Sequence, residues 1–264
     1  MPTVREIETY LYRFAPKELA VEWDNVGHLL GDPEQDVKRV LVSLDITEAV
    51  AREARDGGCE LIVAHHPVMN CRWHAVQSIR RDDPQGRLFM ALLSGGVSCI
   101  CMHTNLDAAP GGVNDILAAT LGLSGVEPLP GGDNICRVGT LPEPLPLREF
   151  ARRAAKALHC GGVRYADAGR PVQRVAVGGG ACGEYADAAL GAGCDTFLTA
   201  DVKYHGFLDA AAAGLNLVDA GHFPTEDPVC EKLVALLRDG FPGLSVWKSA
   251  THADVIRYAV GEEE

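Results

Sequence analysis

The sequence has no CxxC pair, no apolar run near the roughly 18 residues that cross a membrane, and no glycine loop ending in Gly-Lys-Ser or Gly-Lys-Thr. Each absence removes a class of function. Without paired cysteines there is no thiolate zinc module, and nine scattered cysteines in 264 residues fit reduced thiols rather than a disulfide framework. The N-terminal stretch MPTVREIETYLYRFAP has no apolar signal core, so the expectation is a cytoplasmic protein with no membrane partner. Basic residues are also few: 24 Lys and Arg against 36 Asp and Glu give a formal net charge of −12. Phosphate backbones are bound by clustered Lys and Arg, so this balance argues against nucleic acid as a main partner. What remains is ordinary globular composition, 47% hydrophobic and 23% charged, with length for one large or two small cored domains.

Hydrophobic spacing then supplies the elements. Val4, Ile7, Tyr10, Leu11 and Phe14 predict a helix that Pro16 stops. Residues 23–27 (WDNVG) read as a polar turn, 39–44 as a strand, 48–55 as a helix capped by Thr47, and 61–64 as a strand. A long connection over 68–95 holds a helix at 84–93. A strand at 97–102 and a helix at 113–121 follow. Cys99 and Cys101, two apart in that strand, share one face as small buried hydrophobes. The Pro- and Gly-rich stretch 122–146 is the composition break. It divides a first domain, 1–127 plus 228–264, from a second, 128–227. Beyond it come a helix at 147–158, strands at 174–177, 195–199 and 215–219, and helices at 184–190, before Gly214 and from Pro228. Last strands fall at 244–247 and 255–260, before a solvated tail at 261–264.

The two halves repeat. Gly58-Cys59-Glu60 matches Gly193-Cys194-Asp195, and Arg39-Val40-Leu41-Val42 matches Arg174-Val175-Ala176-Val177, both at an offset of 135. The third strand of each half runs into His-x-x-x-acid, His103 to Asp107 and His222 to Glu226, at an offset of 119. The fold class expected is α/β, as two related three-layer units produced by internal duplication.

Ligand-type residues gather at strand ends. Leu61 to Ala64 is a short apolar run of the buried parallel kind, and Pro67 ends it just past His65-His66. Open α/β sheets keep ligands at such carboxyl ends. Taken singly, the two His-x-x-x-acid pieces read as strand-to-helix turns with capping acids. Taken with His65-His66, they give six candidate metal ligands: His65, His66, His103, Asp107, His222 and Glu226. Imidazole and carboxylate suit Zn, Fe, Mn, Co or Ni. One ion needs about three or four protein ligands, so six suggest two divalent ions per chain. Such a pair can activate a water and hold an oxyanion. Lys203 and His205 follow a strand of the second half and are the catalytic candidates, one to hold a phosphate and one to move protons. Gly178-Gly179-Gly180 sits between a strand and a helix but lacks the phosphate-loop lysine.

In order along the chain, WDNVG (23–27), AHHPV (64–68), HTNLDAAPGGVND (103–115), VGTLPEP (138–144), DVKYH (201–205) and DAGHFPTE (219–226) resemble the dinuclear-metal family of GTP cyclohydrolase 1 type 2 homologues, also called Nif3-like proteins. The resemblance covers almost the whole chain. It implies a two-domain α/β protein with the dinuclear site in the cleft between domains. By motif it carries over His65, His66, Asp107, His222 and Glu226 as ligands, with Asp107 and Glu226 bridging. His103 stays open between a direct ligand and a residue behind one. The resemblance further implies a toroidal homohexamer, and an inserted middle domain in longer relatives that this chain has no room for between 128 and 170. The family name implies opening of GTP at its imidazole C8. A phosphoesterase or amidohydrolase acting on a nucleotide-like small molecule fits the same residues. The alternative is a non-catalytic metal store, metal chaperone or interaction scaffold. The chain departs from the family pattern at His28, at Ala181-Cys182-Gly183, at Ala200, and at Thr251-His252-Ala253-Asp254 where a Thr-Asp-Pro turn is expected.

Overall fold

The same hook starts the sheet in each half of the chain. In the computed structural model, which describes residues 1–70 and 75–259, Glu60 Oε2 accepts the backbone N–H groups of Lys38 at 2.9 Å and Arg39 at 2.8 Å. At an offset of 135, Asp195 accepts those of Gln173 at 3.0 Å and Arg174 at 2.7 Å. Arg39 Nη1 donates to the Gly57 carbonyl and Arg174 Nε to the Ala192 carbonyl, both at 3.1 Å and again 135 apart. A charged acceptor on two amides of one strand contributes about 1–3 kcal/mol in these partly exposed settings, so each hook ties its strand to the residue that leads into the next one.

The first unit comprises residues 1–112 and 229–253. Its elements run α1 (Val4–Phe14), β1 (Gly27–Leu30), β2 (Arg39–Ser43), α2 (Glu48–Asp56), β3 (Leu61–Ala64), α3 (Pro84–Ser94), β4 (Ser98–Cys101) and α4 (Thr104–Ala108). Local chemistry explains the helix starts. Thr3 and Glu6 form a reciprocal capping box on α1, Thr47 caps α2, and Asp83 caps α3 ahead of Pro84. The second unit, 113–228 with 254–264, holds α5 (Val113–Thr120), β5 (Ser124–Pro128), β6 (Arg137–Leu145), α6 (Leu147–Ala157), β7 (Arg164–Ala166), β8 (Val172–Val177), α7 (Ala186–Gly191), β9 (Thr196–Thr199), α8 (Tyr204–Ala213), β10 (Asn216–Asp219) and α9 (His222–Glu226). The chain then returns to the first unit with α10 (Pro228–Gly240) and β11 (Ser245–Lys248).

The first sheet has the order β1-β4-β3-β2-β11, parallel except for β1. The second has the order β5-β6-β8-β9-β10-β7, with a parallel centre β8-β9-β10 and antiparallel flanks. Register repeats as well as order: Leu41 faces Ile62 in one sheet, and Ala176 faces Phe197 in the other. Each unit buries its own core. Leu41, Ile62, Phe89 and Cys99 lie in the first, and Phe150, Val175, Leu198 and Val218 in the second. Cys99 and Cys101 are both fully buried in that first core, and burial pushes the Cys101 thiol up to about 12.

The structure revises several expected elements. The unit boundary falls after Gly112 rather than near 128, because α5 and β5 belong to the second sheet and its core. The Gly- and Pro-rich stretch 122–146, expected as the composition break, holds the antiparallel pair β5–β6. Residues 27–30, expected to follow a turn, form edge strand β1. Residues 255–259 carry no strand, and Val255 is 88% exposed. Residues 71–74 of the long connection, residue 260 of the expected last strand and the expected tail 261–264 lie outside the described residues. Among the described residues, no helix is long and apolar enough to cross a membrane.

Candidate metal centre

The carboxyl ends of adjacent strands in the first sheet carry the first group of side chains. His65 and His66 follow β3, Asp45 follows β2, and His103 follows β4. One nitrogen from each of His65, His66 and His103 lies within 4.8 Å of the others. Every ring is held from behind. His65, fully buried, donates Nδ1–H to the Met102 carbonyl at 2.8 Å, since a carbonyl can only accept. His66 Nδ1 donates to Asp45 Oδ1 at 2.7 Å, and His103 Nδ1 to Asp24 Oδ1 at 2.8 Å. In each neutral ring the basic nitrogen is therefore Nε2. The Nε2 of His65 lies 3.6 Å from Oδ1 of Asp107, which α4 carries in its last turn and which is itself buried.

Asp24 shows what the WDNVG stretch does. Its Oδ2 accepts from the Thr104 hydroxyl at 2.5 Å and the Thr104 amide at 3.0 Å, so one carboxylate caps α4 and orients His103. Burial alone would raise its pKa, but the bonds from His103 and Thr104 hold it down at about 2. Asp45 behaves alike: burial is overcome by His252 and His66, and its pKa sits well below the ordinary range. Asn25 donates to the Met69 carbonyl at 2.9 Å, tying the same turn to the segment after His66, and the Trp23 ring meets the His103 ring edge-on at 6.4 Å.

In the second unit the same logic recurs. His222 opens α9, donates Nδ1–H to Asp201 Oδ2 at 2.7 Å, and lies with Nε2 3.0 Å from Glu226 Oε2. Burial would lower the His222 pKa, but the two carboxylates override it and push it up to about 11. Glu226 is buried against Gly180, whose φ of +64° and bare Cα make room for its carboxylate. The glycine turn is not a phosphate cradle, because its amides are engaged. Gly178 donates to Leu198, Gly179 to Asn114 Oδ1 and Gly180 to Thr225 Oγ1. Lys203 and His205 are exposed at the start of α8, and among the described residues neither hydrogen-bonds to His222 or Glu226.

These donors fit divalent cations. Imidazole Nε2 and carboxylate oxygen are the ligand types such ions take, and an Nδ1–H bonded to carboxylate or carbonyl is the arrangement that orients a metal-binding histidine. His222 between two carboxylates is a proton site that a cation can take over. The Duf34/NIF3 (NGG1p interacting factor 3) family model matches residues 2–254. The chain belongs to this family. Its similarity to Duf34/NIF3 proteins runs through both units. A Streptomyces coelicolor relative named GTP cyclohydrolase 1 type 2 homolog is 38% identical over 88% of this chain and 84% of its own. A Clostridium perfringens relative of the same name is 32% identical over 87% and 89%. The fold is similar to that of a Staphylococcus aureus protein (27% identity, TM-score 0.88, 97% of this chain and 99% of that one). It is also similar to reduced HcgD from Methanocaldococcus jannaschii (26%, 0.81, 94% and 97%). The alignment with a Bacillus subtilis relative spans 353 positions over 90% of this 264-residue chain, so that relative carries residues within the aligned range that this Duf34/NIF3 chain lacks.

Sequence reasoning missed three of the anchoring groups. Asp45, Asp201 and His252 were assigned no role, although Asp45 and Asp201 each fall just past a strand of a parallel sheet. That position was the available signal.

Proposed function

We propose that this chain holds two divalent metal ions and hydrolyses a nucleotide-like small molecule. His65, His66, Asp107, His222 and Glu226 are the ligands, and His103 is either a sixth or a neighbour of one. The observation that carries the reading is the common state of four histidines. Each donates Nδ1–H to an oxygen acceptor, so Nε2 is the nitrogen left for a cation, which at His222 would displace the proton held against Glu226. Bound divalent ions supply Lewis acidity and lower the pKa of water toward neutrality. The chain's own part is orientation and charge. Asp24, Asp45 and Asp201 fix ring tautomers, and the carboxylates of Asp107 and Glu226 offset cationic charge. The names of the curated relatives point to GTP as a first compound to test. By the same family likeness the chain assembles as a toroidal hexamer, which light scattering in solution tests.

One observation favours a second reading. Lys203 and His205, the acid–base candidates, are exposed and bonded to neither His222 nor Glu226, which suits a metal-holding scaffold or metal chaperone. Metal content per chain, compared with Glu226→Ala and His65→Ala, tests both. About two ions in the wild type, falling sharply in folded variants, supports the centre, and a nucleotide-hydrolysis screen then separates enzyme from scaffold. A wild type that takes up nothing after anaerobic reconstitution with Zn, Mn or Fe overturns it.

A further inference from the structure

We infer that His252 is a positioning residue for His66, acting through Asp45. Three adjacent strand ends of the first sheet build this relay: β11 delivers His252, β2 delivers Asp45, and β3 delivers His66. Asp45 gives one oxygen to each imidazole. Oδ1 lies 2.7 Å from His66 Nδ1, and Oδ2 lies 3.0 Å from His252 Nε2. The Asp45 amide also lies 3.2 Å from the same His252 nitrogen, so whichever tautomer His252 adopts, the ring clamps residue 45. The clamp matters because the Asp45 side chain is 42% exposed. The terminal torsion of an aspartate is broad, so a carboxylate gripped on one oxygen has water to turn toward. Gripped on both, it holds one orientation toward His66.

His252 is not needed merely to tie down the chain after β11. Glu53 on α2 already does that, accepting from Ser249 Oγ at 2.6 Å, Thr251 Oγ1 at 2.7 Å, and the amides of Ala250 and Thr251 at 3.0 and 3.1 Å. Ser249 Oγ in turn accepts the His252 amide at 3.2 Å, which aims residue 252 at Asp45.

The inference rests on the proposed role of His66 as a ligand, and its test separates the two claims. Loss variants are His252→Leu and His252→Asn, whose amide is too short to reach Oδ2; His252→Gln keeps a donor near the Nε2 position. The first readout is the imidazole proton and nitrogen resonances of His66 in metal-free protein. The second is Zn²⁺ retention against a competing chelator. The expected result is a shifted or exchange-broadened His66 Nδ1–H signal and about tenfold weaker Zn²⁺ binding in the loss variants, with unfolding midpoints near wild type and recovery in His252→Gln. A folded loss variant with wild-type His66 resonances and wild-type Zn²⁺ retention overturns the inference. If wild-type protein binds no Zn²⁺, the metal reading fails and the His66 resonances alone decide the positioning role.

Discussion

An alanine at position 180 would put its Cβ 2.1 Å from Glu226 Oε1, 3.0 Å from Glu226 Cδ and 3.1 Å from His222 Nε2. No real Cβ tolerates the first of these distances, so something must move. The backbone is poor at moving: Gly178, Gly179 and Gly180 spend their amides on Leu198, Asn114 and Thr225. The atom struck is the far end of a flexible side chain, so the Glu226 carboxylate swings away while the fold persists. The φ of +64° adds about 1–2 kcal/mol of strain for an L-residue. For a chain of this size that lowers the unfolding midpoint by roughly 2–8 °C. The two effects separate in one experiment. Gly180→Ala should remain folded by circular dichroism, unfold slightly earlier, and bind Zn²⁺ at least about tenfold more weakly. Gly183→Ala is the control in the same turn, since its Cβ would meet Val202 Cγ2 at an ordinary 3.9 Å and change stability by less than about 0.5 kcal/mol. A folded Gly180→Ala protein with wild-type Zn²⁺ affinity would refute the placement of Glu226 as a ligand made possible by a bare glycine.

Three further outcomes follow from the geometry. Glu60→Ala and Asp195→Ala each remove the acceptor of two strand-opening amides, so urea unfolding should show losses of about 1–3 kcal/mol in both, and a neutral result at either would sink the equivalence of the hooks. Glu53 has a pKa below the ordinary glutamate value: burial would raise it, but its bonds from Ser249, Thr251 and Ala250 win. Its contribution is therefore present above about pH 4.5 and lost as the pH falls below it, so hydrogen exchange at Ala250 and Thr251 should quicken there in the wild type and show no such step in Glu53→Gln. Zn²⁺ at about a hundred times its dissociation constant should add roughly 2.7 kcal/mol per site to stability, a gain that a chelator reverses and Asp201→Ala diminishes.

How far the sequence could be read depended on how local each cue was. The strand 61–64 and the helices 4–14, 84–94 and 113–120 were legible because apolar spacing, caps and stops lie within one segment. The β5–β6 pair was not, because glycine and proline in 122–146 imitate a linker, and only pairing with β8 makes that stretch a sheet. The strand expected at 255–260 failed for the opposite reason: Val255 and Ile256 have the right composition, but the described part of that stretch pairs with no strand. In the candidate centre the histidines announced themselves by adjacency and spacing. The carboxylates behind them did not, since Asp24 lies 79 residues from His103 and His252 lies 207 from Asp45. A short-range reading reaches candidate ligands more easily than the groups that orient them.

The duplication itself has a limit that the strands expose. Offsets of 135 hold for the hooks, for β2 against β8, and for β3 against β9. At the next strand end the equivalence slips. His103 lies two residues beyond the end of β4 at Cys101, whereas His222 lies three beyond the end of β10 at Asp219. Asp107 and Glu226 carry the same one-residue difference. His103 thus precedes the first residue of α4, while His222 is the first residue of α9. The matching His-x-x-x-acid spacing is therefore not a direct image of the ancestral repeat. At the β9 end, the positions equivalent to His65 and His66 are Ala200 and Asp201, and Asp201 serves as the acceptor that aims His222. Duplication placed two sheets with the same strand ends. The two halves then filled those ends differently, one with imidazoles backed by distant carboxylates, the other with a carboxylate that backs an imidazole on the neighbouring strand end. Both helices start three residues past the strand end, so the slip moves the motif by one position along the helix, about 100° around its axis.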